Sequence, residues 1–422
     1  MTAGPLQPLR ETPVLPPALE PPSAAVEPRQ WGNIVTMACT IFCTLTCVFS
    51  WWRITSPYLR SLGAGPELIG WCFLLFTMAN RLPGALGGWI SDHVGRRWMI
   101  VAGTFFMGIG YVGIAFANTP ALVTAALCFT WIVGALQHPS LLSIQAESVP
   151  AARRGFAIAI VESAAMVGIT IGPLIGARVF EWSHSIGATW RLLALITAAV
   201  YLCVAIARLV FLRETDRRRS ERTPFKPDWR RLAIPLAITV CFVAAMLVTI
   251  DGPSVSLYIV DVTRGDEATV GYVNFFGGAL AIVGALLGGW LADAWGAARV
   301  MAVSAAATAL TLLPFALPQA PPDVDRALLA FAFLPIETFV IANWKLIASI
   351  GPPGRRALYV GMVTTTTGLV SSWGVVMSGY LYAGRNQAAP MLAAIGLALV
   401  SLFLTLRLLR LAGPSRDPGH LA

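Results

Sequence analysis

Of the 422 residues, 56% are apolar and only 12% charged, against roughly 25% charged in ordinary soluble domains. That leaves too little polar side chain to cover a water-soluble globule, so the composition excludes one and points to a lipid bilayer. The formal charge of +9 would suit a nucleic-acid partner if it formed a surface patch; it lies in the segments between apolar runs, which argues against nucleic acid and for a membrane topology signal.

Residues 1–30 are rich in Pro and lack both a compact apolar run and a charged start followed by a cleavage site. They read as a disordered cytoplasmic tail, not a signal peptide. Apolar runs of about 20 residues, enough to cross a hydrocarbon core of about 30 Å, then recur from Trp31 to Leu411. About twelve are expected by this length rule, half before the basic segment Arg213–Arg231 and half after it. They are continuous, not alternating, so helices are expected rather than a β-barrel.

The expected fold is an all-α integral membrane protein with twelve transmembrane helices in two pseudo-symmetric six-helix bundles. Residues 31–212 form the N-terminal bundle, 213–231 a basic cytoplasmic linker, 232–412 the C-terminal bundle and 413–422 a cytoplasmic tail. With both termini in the cytoplasm of a plasma or inner membrane, most of the 30 Lys and Arg fall on that side, as the positive-inside rule requires. The linker carries Arg213, Arg217, Arg218, Arg219, Arg222, Lys226, Arg230 and Arg231, read as a topology anchor beside anionic headgroups. Seven cysteines, an odd number and all in predicted spans, give no disulfide framework. Cys39, Cys43 and Cys47, at i, i+4 and i+8, read as a stripe of small residues for helix packing rather than a metal site. No metal or cofactor is expected, and the chain is read as a monomer.

A tandem repeat underlies the two bundles. Gly87-Gly88-Trp89-Ile90-Ser91-Asp92-His93-Val94-Gly95 returns about 201 positions later as Gly288-Gly289-Trp290-Leu291-Ala292-Asp293-Ala294-Trp295-Gly296. Pro150 with Arg153-Arg154 returns as Pro352 with Arg355-Arg356, and Gly70 has a counterpart in Gly271. Landmarks in the same order at one offset indicate duplication, and paired halves around a midplane site are a common plan for secondary transporters.

Gly88-x-x-x-Asp92-x-x-Gly95-Arg96-Arg97 resembles the signature loop between helices 2 and 3 of the major facilitator superfamily. Gly289-x-x-x-Asp293-x-x-Gly296 occupies the matching junction between helices 8 and 9. The residue types suit a latch: Gly allows a tight turn, Asp accepts hydrogen bonds at a helix end, and Arg tethers that end to neighbouring groups. The resemblance implies that Asp92, Arg96 and Arg97 hold the halves together on the cytoplasmic side. It adds Glu147 and Arg153, since Glu147-x-x-Pro150-x-x-Arg153-Arg154-Gly155 is similar to the family pattern between helices 4 and 5. His93 replaces the usual basic residue, and Ala297-Ala298 replace the second basic pair, so the second latch is expected to be the weaker. Gly168-x-x-x-Gly172-Pro173-x-x-Gly176 resembles part of a motif of drug and proton antiporters; its glycines let helices approach, and Pro173 is expected to bend the fifth span. That resemblance favours efflux over uptake, although the acidic first-span residue of some exporters is missing here.

Ionisable groups inside spans are expensive and are functional candidates for that reason. Arg53 lies on the first span, Gln137 and His138 on the fourth, Asp251 on the seventh, and Glu337, Asn343 and Lys345 on the tenth. In the superfamily helices 1, 4, 7 and 10 line the central cavity. The repeat offset puts Arg53 and Asp251 at similar depth, where opposite charges would stabilise each other. Glu337, near the middle of its span, is the first choice for carrying a coupling proton and Asp251 the second; a static ion pair of Glu337 with Lys345 or His138 is the competing reading. Asn274 and Trp373 would add hydrogen bonding and stacking toward an organic substrate. The reading is thus a proton-coupled carrier of a small organic solute. An uptake symporter or facilitator of the same fold, a non-transporting sensor and a polytopic membrane enzyme stay open, although no nucleotide-binding loop and no loop cluster of catalytic His and Asp is visible.

Overall fold

The structure, a computed structural model, describes residues 28–149, 154–215, 229–316, 321–350, 356–384 and 386–412. Residues 1–27 and 413–422 of the expected tails, Arg153 and the basic residues at 217–226 lie outside the described residues, while residues 28–30 already belong to the first helix. Among those described, the chain forms helices and no strand. The first half comprises α1 (Pro28–Trp52), α2 (Thr55–Ser61), α3 (Pro66–Arg81), α4 (Gly84–Val94), α5 (Arg96–Phe116), α6 (Pro120–Glu147), α7 (Arg154–Ser183) and α8 (Ile186–Phe211). The second comprises α9 (Trp229–Val248), α10 (Pro253–Asp261), α11 (Glu267–Trp295), α12 (Ala297–Leu312), α13 (Pro322–Ile350), α14 (Arg356–Ser371), α15 (Trp373–Ala383) and α16 (Ala389–Ala412).

Ten segments are long and apolar enough to cross a membrane, one of them running through α9 and α10. The pairs α3–α4 and α14–α15 complete a set of twelve crossings. Four crossings are therefore interrupted: the first and its repeat counterpart, the seventh, and also the second and the eleventh, which have no interrupted counterpart in the other half. Local chemistry explains two of the breaks. Pro83 follows α3 and cannot continue its hydrogen-bond ladder, and Pro253 opens α10 at a first turn, where a missing N–H costs nothing.

Packing repeats between the halves. In the first, α1 lies along α7, and α5 packs against α6 and α8; in the second, α9 lies along α15, and α12 packs against α13 and α16. The turns repeat as well. Gly95 (φ +107°) and Gly296 (φ +87°) both take left-handed backbone at the start of the following helix, and Gly63 (φ +91°) is matched by Arg264 (φ +53°), each pair 201 residues apart.

Lipid is as apolar as leucine, so close packing rather than transfer from water holds such helices together. Trp51, fully buried, meets Trp190 edge-on at 5.0 Å and Tyr111 at 5.6 Å, and Phe242 stacks on Phe339 at 3.5 Å. The glycines of the expected bend motif allow close helix approach, as their spacing suggested. α7 runs unbroken through Pro173, and Gly172 and Gly176 let α1 come so close that a Cβ on either would press on the carbonyl oxygen of Thr46 or Ser50.

Candidate functional site

The first and last described residues, 28 and 412, lie on one face of the twelve crossings, the terminal face; the other is the distal face. At the distal face the two bundles are sealed along two pseudo-symmetric seams, α3 against α15 and α7 against α11. A Cβ at Gly70 would sit 2.9 Å from the carbonyl oxygen of Val375, and one at Gly271 2.6 Å from that of Pro173. The seams thus use the same repeat positions and tolerate no side chain there. Polar groups close the rim: Arg60 pairs with Asp261, its own repeat counterpart, which also accepts from Tyr382 at 2.7 Å. Tyr272 donates to Glu181 at 2.6 Å beneath Arg178. These rim residues were not legible as partners in the sequence, because each sits at a span end where charge is ordinary. No packing of comparable extent joins the bundles at the terminal face among the described residues.

Between seal and terminal face lies the site. The first and seventh crossings break at Arg53 and at Thr249–Gly252, and the breaks face each other. Arg53 donates through Nη1 to the carbonyl oxygen of Ile250 at 2.8 Å, freed by the break, and through Nη2 to Asp251 Oδ1 at 3.2 Å. Its side chain is 12% exposed and that of Asp251 40%, so the pair is reached from one side only. Glu337, half-buried on α13, lies within electrostatic reach of Asp251. Two carboxylates thus lie near each other, one of them, Asp251, paired with a guanidinium. His138 is exposed on α6 and lies in the field of Arg81.

Five sequence candidates lie elsewhere. Gln137, one residue and about 100° of helix rotation from His138, turns into the interface with α5, where it accepts from Thr104 and meets Met107 Sδ at 3.0 Å. Asn274 is buried and donates to the carbonyl oxygen of Val270 on its own helix at 2.8 Å. Lys345 does not reach Glu337; eight residues carry it about 80° around α13, to the Ala292 carbonyl oxygen at 2.7 Å and Asp293 Oδ1 at 2.5 Å. Trp373 is exposed on the α3–α15 seam, edge-on to Trp71 at 6.0 Å. Asn343 is buried in the wall of a cavity between α9, α13 and α14, its Oδ1 accepting from Thr239 at 2.9 Å.

At the terminal face the latch candidates of the first half are densely connected, all within the first bundle and, among the described residues, not across to the second. Arg96 pairs with Glu147, which also accepts from Thr215 at 2.8 Å. Glu214 accepts from the backbone N–H groups of Arg96 and Arg97 at 3.0 and 3.1 Å, capping α5 at its electropositive end. Arg97 donates to the carbonyl oxygen of Leu209 at 2.5 Å. The side chains of Gly88 and Asp92 fall outside what is described. In the second half Asp293 pairs with Lys345, while Gly289 and Gly296 shape the turn.

Two arginines were missed by the sequence reading. Arg208 is fully buried in the first bundle, donating to Thr40 at 3.1 Å and Thr104 at 2.7 Å; its place near a span end made it look like topology charge. Arg81 ends α3 at an interruption and enters the cavity beside Gly368. A Pro two residues after a basic residue was the one available signal.

Comparison with known proteins places this geometry. The family model of the Major Facilitator Superfamily matches residues 36–347. The chain is 33% identical over 144 residues to an uncharacterized MFS-type transporter of Methanocaldococcus jannaschii, covering 34% of this chain and 37% of that one. It is 26% identical to the multidrug resistance protein MdtG of Rahnella sp., over 76% of this chain and 82% of the relative. Among solved structures, a bacterial homolog to the human lysosomal transporter Spinster, inward-facing and occupied, superposes with TM-score 0.73 at 17% identity, covering 92% of this chain and 98% of that one. The chain is a multi-pass membrane transporter, not an enzyme, and belongs to the Major Facilitator Superfamily.

Proposed function

We propose that the protein moves a small organic solute across a plasma or inner membrane by alternating access, exchanging it for protons and working in the direction of efflux. The observation that carries this reading is the Arg53, Asp251 and Glu337 constellation at the breaks of two repeat-related crossings, under a sealed distal face. One guanidinium balances one carboxylate, so a proton on the other completes the charge balance, and the site can carry that proton between the faces. The seal has the character of a gate: it rests on backbone contacts at Gly70 and Gly271 and on a few rim hydrogen bonds, which can exchange for contacts at the terminal-face latches. With both termini in the cytoplasm, the terminal face is the inner one, and the arrangement is inward-facing. The multidrug resistance relative supports efflux.

Reconstituted protein tests the reading by counterflow, in which a carrier accumulates labelled solute against preloaded unlabelled solute. Exchange is expected to survive Glu337→Gln and Asp251→Asn, while flux driven by a pH gradient falls about tenfold or more, the loss of one charge-assisted interaction. Gradient-driven flux equal to that of the unaltered protein in both variants would reject proton coupling here, and absence of counterflow with every accumulated drug-like solute would reject carriage itself.

A further inference from the structure

The cavity between α9, α13 and α14 has a volume of about 100 Å³ and opens on one side to solvent. Its walls divide by chemistry. The body is apolar and aromatic, with the stacked Phe242 and Phe339 on one side and the half-exposed Trp344 beside them. The polar groups are donors. Arg81 reaches in from the other bundle, over the bare backbone of Gly368, and makes no hydrogen bond or ion pair among the described residues. Thr367, 4% exposed on the same wall, has a buried hydroxyl with no partner. Asn343 spends its Oδ1 on Thr239 and keeps its Nδ2 hydrogens unengaged. No carboxylate lines the cavity, and His138, in the field of Arg81, is a base and no counter-anion.

Arg81 is exposed on the open side of the cavity and carries no counter-charge there, while the Thr367 hydroxyl is buried without a partner, which is costly. A ligand that supplies acceptor oxygens would pair with both. Resting on the carrier reading above, we infer that this cavity is the solute site and that the solute is a small organic anion of the aromatic-carboxylate class. Its carboxylate takes a two-pronged hydrogen bond from Arg81, a geometry the guanidinium fork favours, with Thr367 and Asn343 donating to the same oxygens. Its ring lies against Phe242, Phe339 and Trp344. Arg81 belongs to the first bundle and the rest of the cavity to the second, so the anion bridges the halves and binding it couples to their relative position.

The test compares three probes of nearly equal shape on the purified full-length protein: 2-naphthoate, the neutral 2-naphthamide and the cationic 2-naphthylmethylammonium. Calorimetry on the unaltered protein is expected to show naphthoate binding at least about tenfold more tightly than either, the yield of a charge-assisted pair over a neutral one. The preference disappears in Arg81→Gln and partly returns in Arg81→Lys, while Thr367→Val weakens naphthoate by about threefold. Equal or tighter binding of the amide or the ammonium compound by the unaltered protein, no naphthoate binding at millimolar concentration, or an anion preference that survives in Arg81→Gln would overturn the proposal. Counterflow separates the two readings. Trans-stimulation by neutral or cationic solutes alone removes the anion and leaves the carrier; Arg81-dependent naphthoate binding with no counterflow removes the carrier and leaves the site.

Discussion

The two latches at the terminal face share a turn but pair it with opposite charges. In the first bundle the cation, Arg96, belongs to the turn and the anion, Glu147, to the fourth crossing; in the second the anion, Asp293, belongs to the turn and the cation, Lys345, to the tenth. Backbone form has survived duplication, since Gly95 and Gly296 keep the same left-handed geometry, and so has the turn carboxylate, Asp92 and Asp293, while the basic pair Arg96-Arg97 has become Ala297-Ala298. The first pair is also the more enclosed: Arg96 is 12% and Glu147 26% exposed, against 45% and 78% for Lys345 and Asp293. A duplicated motif therefore predicts the shape of a junction more securely than the strength of its bonds.

Four perturbations sharpen the contrast. The largest effect is expected at Glu147, because removing one partner of an enclosed pair costs about 3–5 kcal/mol; Glu147→Gln should lower counterflow per unit of protein by an order of magnitude or more, and a rate within twofold of normal would place the latch elsewhere. Lys345→Ala breaks a half-exposed pair worth about 1 kcal/mol or less and should slow the same assay by about threefold at most. Reversing the charges comes next. Asp293→Lys with Lys345→Asp is expected to restore most of what either change alone removes, whereas Arg96→Glu with Glu147→Arg restores less, because Thr215 and Glu214 stay oriented for the original signs. The smallest effect belongs to Glu214→Gln, which weakens the cap on α5 by about 0.5–1 kcal/mol, visible as a modest loss of thermal stability without loss of the solute dependence of transport.

Much of this could be read from residues. Gly70, Gly95, Gly271 and Gly296 fix turns and close approaches that admit no substitute, so they recur at constant offset and reveal the repeat; the same offset put Arg53 opposite Asp251 before any geometry was known. What escaped depended on rotation and on helix breaks. Lys345 lies eight residues from Glu337, and with the tenth crossing unbroken that spacing turns it toward α11 instead of the cavity. Gln137 and His138 are adjacent and cannot both face inward. Trp373 starts a new helix at the Ser372 interruption, which resets its direction. Arg81 became a cavity residue because Pro83 ends α3 inside the bilayer, and a hydropathy pattern does not tell a cation at an interior break from one at a surface.

The central claim is that the halves exchange one sealed face for the other. It is tested most directly by distances between spin labels in a variant whose seven native cysteines are replaced, with one pair across the distal face at Gly187 and Asn386 and another across the terminal face at Trp98 and Arg299. The account predicts two populations in which the distal pair lengthens as the terminal pair shortens, their balance shifting with pH and solute. Distances that stay fixed under every condition, or that lengthen and shorten together, would contradict it.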